Sequence, residues 1–372
     1  MSRICRLQVF FMIAICDICG VSYAVYVSFL AGDCALYVRS LSYLRQLKSN
    51  GEPLLIRFDN LGNGTGEVIP SFNVSAEPGT SVHVFIKATG PDGASPWFDM
   101  GTWVASGTVD GGYSASAGSQ QCDWGQVDTD TVVLKKDFDS VELKITFHSR
   151  IVELQLRPLL AAISVNRSGA TSKSYDFTVP VDDVNLAVPL RSQRESAEGE
   201  GWCSPTSCGM VLDYWAKVLH TPSLSVPTPV IAANVYDKVW QGTGNWSFNM
   251  AYIGSLPGIA AVAARLPSLN VIEMLLRQGI PPIVSVSYDL LKGAHRDNDP
   301  GHLMVVTGFN ERGDVLLNDP YYNPCDPESG RMEVPVNLFD IAWQRSKRLV
   351  YIIAPCELFS AALCLHGEGD NA

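Results

Sequence analysis

The stretch GWCSPTSCGMVLDYW (201–215) sets a cysteine directly ahead of Ser-Pro-Thr and an apolar run. Ser204, Pro205 and Thr206 read as a helix start: a capping hydroxyl, and a proline tolerated where the first backbone N–H groups have no partner. Met210, Val211, Tyr214, Trp215 and Val218 continue at three- and four-residue spacing, the stripe of a largely buried helix over 204–219. Cys203 therefore falls at the helix mouth, where backbone N–H groups and the positive end of the peptide dipoles favour a thiolate. A thiolate is the nucleophile that acyl transfer requires. Cys208 falls a turn or more inside and suits packing or pairing. The competing use is a Cys203–Cys208 disulfide or metal pair, but no second close Cys/His pair at zinc-like spacing accompanies it. No metal or organic cofactor is expected.

A thiol nucleophile needs a base. Of the six histidines, His302 opens an apolar strand in GHLMVVTGF. A lone strand histidine is usually structural, but the following turn NERG (310–313) and DVLLND (314–319) make a hairpin candidate. A four-residue loop puts Phe309 opposite Asp314, Met304 opposite Asp319 and His302 opposite Tyr321. His302 and Asp319 are then diagonal neighbours on one face, close enough for their side chains to meet. A carboxylate there would fix the imidazole tautomer. An odd loop would separate them. Gln193, ten positions before Cys203 in VPLRSQ, could pair its amide with a backbone N–H to hold an oxyanion. Trp246, Phe248 and Tyr252, between glycines in 242–258, are expected to line the substrate cleft.

The elements that must position these groups fall in two blocks. In 51–165, short alternating segments such as SVHVFIKA and SVELKITFH are separated by Gly, Pro, Asp and Asn clusters, the pattern of a β-sandwich or jelly roll. Trp97, Trp103 and Trp124 there read as packing residues rather than a sugar platform. Residues 166–184 read as a linker. In 185–356, helices are expected at 204–219, 268–278 (with Gly279 just past its end) and 337–345. Strands are expected at 280–288, 302–309, 314–319 and 348–354. This is an α+β arrangement with a helix against a mostly antiparallel sheet. The tail 357–372 has no pattern of its own, though Cys356 and Cys364 could pair.

Composition bounds the partners. The 372 residues carry 47% apolar and 17% charged side chains and a net charge of −11, which suits a globular chain and argues against nucleic-acid or anionic-membrane partners. Arg3 and Arg6 precede the apolar stretch Leu7–Cys16, and Ser22-Tyr23-Ala24 offers small residues for cleavage, so 1–24 reads as a signal peptide and the protein as secreted. Removing Cys5, Cys16 and Cys19 from the ten cysteines leaves seven, an odd number that fits three disulfides and one free thiol or a fully reduced chain. Sequons occur at Asn63, Asn73, Asn166 and Asn245.

Residues from about 185 to 356 resemble the stand-alone C39-like peptidases, relatives of the bacteriocin-leader-processing enzymes with a papain-like fold. The resemblance rests on VPLRSQ, GWCSPTSCGMVLDYW, GTGNWSFNMAYIGSLPG, IPPIVSVS, GHLMVVTGF and LNDP, in that order. It implies Cys203 as nucleophile, His302 as base, Asp319 as orienting carboxylate, Gln193 as oxyanion donor, and a peptide or protein substrate. The block 51–165 resembles the extra domain that precedes some secreted members. The residues alone leave two other readings open: a non-catalytic peptide or glycan binder, and a cell-wall amidase or transglutaminase-like acyl transferase.

Overall fold

The computed structural model describes residues 26–31, 34–41, 53–105, 113–148, 157–168, 184–293 and 301–359. The expected signal peptide, most of the linker, Cys364 and the tail beyond 359 lie outside them.

Twelve described strands build the first part: β1 (Tyr26–Ala31), β2 (Cys34–Ser40), β3 (Leu54–Phe58), β4 (Gly66–Ser75), β5 (Ser81–Gly90), β6 (Gly93–Ala94), β7 (Phe98–Val104), β8 (Gln120–Cys122), β9 (Gly125–Asp128), β10 (Thr131–Leu134), β11 (Ser140–His148) and β12 (Arg157–Arg167). They form two antiparallel sheets, one ordered β1-β2-β12-β4-β10-β9-β8, the other β3-β11-β5-β6 with β7 also on β5. The alternation read from the sequence is the cause. Val82, Val84, Ile86 and Ala88 of β5 face inward together with Val141, Leu143 and Ile145 of β11, while the residues between them face out. Trp103 and Trp124 are buried, as a packing role requires.

The second part holds β13 (Val184–Asn185), α1 (Cys203–Val218), α2 (Thr228–Val235), α3 (Trp246–Ile253), β14 (Ile259–Arg265), α4 (Leu269–Arg277), β15 (Ile283–Ser287), α5 (Tyr288–Leu291), β16 (Gly301–Phe309), β17 (Val315–Asn318), β18 (Arg331–Val334), α6 (Val336–Arg345) and β19 (Leu349–Pro355). Its sheet runs β14-β19-β15-β16-β17-β18, antiparallel, with β13 on β16. Helix α1 packs on β16, and α6 packs on β15. Gly279 adopts a φ of 76° just past α4, as its sequence position implies. The structure is thus mixed α and β, strand-rich, with three antiparallel sheets.

The two parts meet along β4 and β14, and this explains why β4 is buried on both faces. Val68, Phe72 and Val74 face the first core; Glu67, Ser71 and Asn73 face the second part. Strand β14 is the edge of its sheet, so every second N–H lacks a strand partner. Side chains of the first part supply the missing bonds. Asn73 Oδ1 accepts from Ala261 N–H (2.9 Å) and its Nδ2 donates to Ala261 O (2.9 Å) and Met250 O (3.2 Å). Ser71 Oγ accepts from Ala263 N–H (3.0 Å), and Ser164 Oγ from Arg265 N–H (3.0 Å). Two of the four sequons are consumed here: Asn73 is fully buried in this ladder, and Asn245, also buried, caps α3 through Phe248 N–H at 3.1 Å.

Candidate active site

Helix α1 begins at Cys203, one residue earlier than its sequence pattern suggests, with Trp202 as N-cap and no side-chain cap. The expected capping hydroxyl is otherwise engaged: Ser204 is buried and donates to Asn249 Oδ1 at 2.8 Å. Asn249 in turn donates to Thr243 O and Asn245 O, both at 2.8 Å. The first turn of α1 is therefore tied to the 243–245 loop, and Cys203 is left half-buried at the helix mouth. Neither Cys203 nor Cys208 is in a disulfide. The two thiols diverge: burial pushes Cys208 up, whereas Cys203 is held below the usual thiol value. Burial acts against the Cys203 thiolate, but the His302 hydrogen bond and charge and the N–H groups of Leu303 and Ser204 outweigh it.

His302 lies near the start of β16, and Asp319 directly follows β17. The loop between the strands closes differently from the sequence expectation. Near the turn Phe309 faces Val315 and Gly308 faces Leu316, an odd five-residue loop with Gly313 at φ 80°. A bulge between Val306 and Gly308 then absorbs one residue, after which Val306 faces Leu317 and Val305 faces Asn318. The expected register is restored where it matters, and His302 Nε2 meets Asp319 Oδ1 at 2.8 Å.

Asp319 is nearly fully buried and saturated with donors. Besides His302 it accepts from Tyr288 Oη (2.6 Å) and Tyr321 N–H (2.9 Å). Tyr288 also lies against the His302 ring, centroids 4.4 Å apart. Burial works to raise the Asp319 pKa, but the His302 and Tyr288 bonds hold it below the usual carboxylate range. His302 is pushed the other way, up to about 9: burial opposes its charge, and Asp319 and the Cys203 sulfur overcome that opposition. With Nε2 on Asp319, Nδ1 is the nitrogen left for the sulfur. The arrangement favours a thiolate–imidazolium pair.

Cys203, His302 and Gln193 line one cavity of about 770 Å³. Gln193 is buried, its Nε2 donates to Gly199 O at 3.0 Å, and its Oε1 has no partner. Of the three aromatics expected on the cleft, only Trp246 lines it. Phe248 and Tyr252 are buried in the core, because α3 packs between β14 and β4 and all but one of its eight residues are buried. Sequence reading missed Tyr288, Tyr321, Trp240 and Glu200 on the wall. It also missed the β9–β10 turn, Asp128–Thr131, which belongs to the first part. Asp130 fixes that turn in place by accepting Trp246 N–H at 2.6 Å. No sequence signal joins residues so far apart. Among the described residues no group of three or more His, Cys, Asp or Glu could hold a metal ion.

The second part is thus an α+β arrangement that sets a thiol, an imidazole and a carboxylate beside one cavity. Residues 185–351 match the family model of the Peptidase_C39 like family. Residues 57–168, ahead of that stretch, match the Peptidase C39 N-terminal domain. Among solved structures, one described as a C39-like peptidase from Bacillus anthracis is 16% identical, covering 46% of this chain and 98% of that one, with a TM-score of 0.35. The VP2 subviral particle of infectious bursal disease virus is 12% identical, covering 38% of this chain and 35% of that one, with a TM-score of 0.22. A search among curated proteins finds no match.

Proposed function

We propose that this protein is a cysteine peptidase acting on peptide bonds through a thioester. The observation that carries the reading is His302 standing between Cys203 and Asp319 on the wall of an open cavity. The Cys203 thiolate attacks the carbonyl carbon, and the oxyanion is held by a backbone N–H at the α1 mouth and by the second N–H of Gln193 Nε2. The C–N bond breaks as the His302 imidazolium gives its proton to the leaving amine. His302 then takes a proton from water, which attacks the thioester and releases the acid and the thiolate. Asp319 keeps the ring oriented throughout.

The same reading takes 185–356 as papain-like, supported by α1 lying on β16, and the first two sheets as a β-sandwich, supported by the inward rows of β5 and β11. It also takes the chain as secreted, supported by Arg3, Arg6 and Leu7–Cys16; a mature N-terminus near residue 25 in the medium checks this.

Digestion of proteome-derived peptides by the wild type beside Cys203→Ala tests the chemistry. New termini are expected from the wild type alone. Equal results from both proteins, with Cys203 alkylated only at an ordinary thiol pH, would overturn it.

A further inference from the structure

Trp240 is 50% exposed and lines the same cavity as Cys203. An indole left in water usually reflects little constraint, yet this one is carried by a tightly built turn. The Asp237 carboxylate accepts from Val239 N–H (3.0 Å), Trp240 N–H (3.2 Å) and Asn245 Nδ2 (2.9 Å). It also accepts from Ser116 N–H of the first part, at 3.0 Å. Gln241, the next residue after the tryptophan, is held at a φ of 59°, a conformation a non-glycine residue adopts at a cost. Gly242 and Gly244 provide the bed for the ring. A Cβ on either would come within 2.6 and 2.8 Å of it, and neither glycine has a positive φ, so what they supply is space. So much fixed backbone holding one exposed ring suits a ligand platform.

The surrounding charge indicates which ligand. Asp128, on the turn from the first part, and Glu200 are exposed carboxylates on the same lining. Of the basic lining residues, Arg265 and Lys347 both pair with Glu67 and His302 pairs with Asp319, which leaves Arg345. The buried Oε1 of Gln193, without a hydrogen-bond partner, adds an acceptor to the same wall. An aromatic face beside carboxylates binds a cation through the ring quadrupole and charge-assisted hydrogen bonds.

We propose that Trp240, Glu200 and Asp128 form a subsite for a lysine or arginine side chain of the peptide substrate, with the N-terminal domain contributing one of its carboxylates. This deepens the peptidase reading and rests on it. The test uses the full chain as wild type, Trp240→Ala, and the double variant Asp128→Asn/Glu200→Gln. Peptides carrying lysine near the cleaved bond are compared with norleucine analogues. The wild type is expected to favour lysine by about tenfold in kcat/KM, and both variants to lose most of that preference. A second measurement needs no turnover. Cys203 is labelled with cationic and anionic methanethiosulfonates, mapped by mass spectrometry. The cation-to-anion rate ratio is expected to fall in the double variant, because two negative charges leave the cavity that Cys203 lines. A ratio that falls while no protein cuts any peptide would defeat the peptidase reading and keep the cation site. Cleavage without a preference for lysine would overturn the subsite whatever the ratio.

Discussion

Replacing Asn73 by alanine separates the two halves of this molecule at one measurable point. Asn73 makes three buried hydrogen bonds across the junction, two of them to Ala261. Met250 O keeps its bond from Gly254 N–H, so two groups are orphaned, the N–H and the C=O of Ala261. A buried polar group left unpaired costs about 1–3 kcal/mol, which puts the loss at about 2–6 kcal/mol. Equilibrium urea unfolding followed by tryptophan fluorescence measures it. A coupled substitution sharpens the test. A Cβ at Gly254 would overlap the Asn73 amide, and that glycine has ordinary helical angles (φ −73°) that alanine accepts. Gly254→Ala should therefore be costly alone and much cheaper in the Asn73→Ala background, giving a large coupling energy. A loss below about 1 kcal/mol for Asn73→Ala, or additive costs in the double variant, would refute the reasoning.

Two further outcomes follow from the titrating groups. The thiolate–imidazolium pair exists between the lowered Cys203 pKa and the His302 value of about 9. Iodoacetamide labelling of Cys203 should thus begin below the usual thiol pH, His302→Ala should push it up, and peptide turnover should fall as pH rises past about 9; unchanged labelling in the variant would contradict the pair. Burial raises Asp130 from 3.8 to about 7. Its proton is favoured in the folded state, so stability falls as pH rises from about 4 to about 7 and is flat above, by an amount on the order of a few kcal/mol. Asp130→Asn keeps an acceptor for Trp246 N–H. It should raise the Tm at pH 8 and converge with the wild type toward pH 4; an equal shift at every pH would count against this.

The place of Cys203 at the mouth of α1 was legible because helix-start chemistry and a single placed thiol are local signals. The His302–Asp319 pairing was also foreseen, but through a premise the structure replaces: the loop is odd, and a bulge at Thr307 returns the strands to register. A bulge leaves no mark in alternation until both strands are seen. The assignment of Phe248 and Tyr252 to the cleft failed because a helix apolar on nearly every side gives no periodicity to tell wall from core. Trp240 and the Asp128–Thr131 turn were invisible for a different reason. Their place depends on how two parts distant in the sequence meet, which no short-range pattern encodes. Asn73 illustrates the same limit. Its tripeptide reads as a surface glycan acceptor, and its side chain stands in for a missing strand.

That substitution of side chains for a strand bears on any attempt to trim the protein to its second part. Strand β14 reads IAAVAAR, small and nearly uncharged. Stripped of the first 168 residues it would offer an open ribbon of donors and acceptors to any extended chain nearby. A truncated second half is expected to self-associate through that ribbon, which the whole chain keeps covered with Asn73, Ser71 and Ser164; size-exclusion chromatography of the truncated chain checks it.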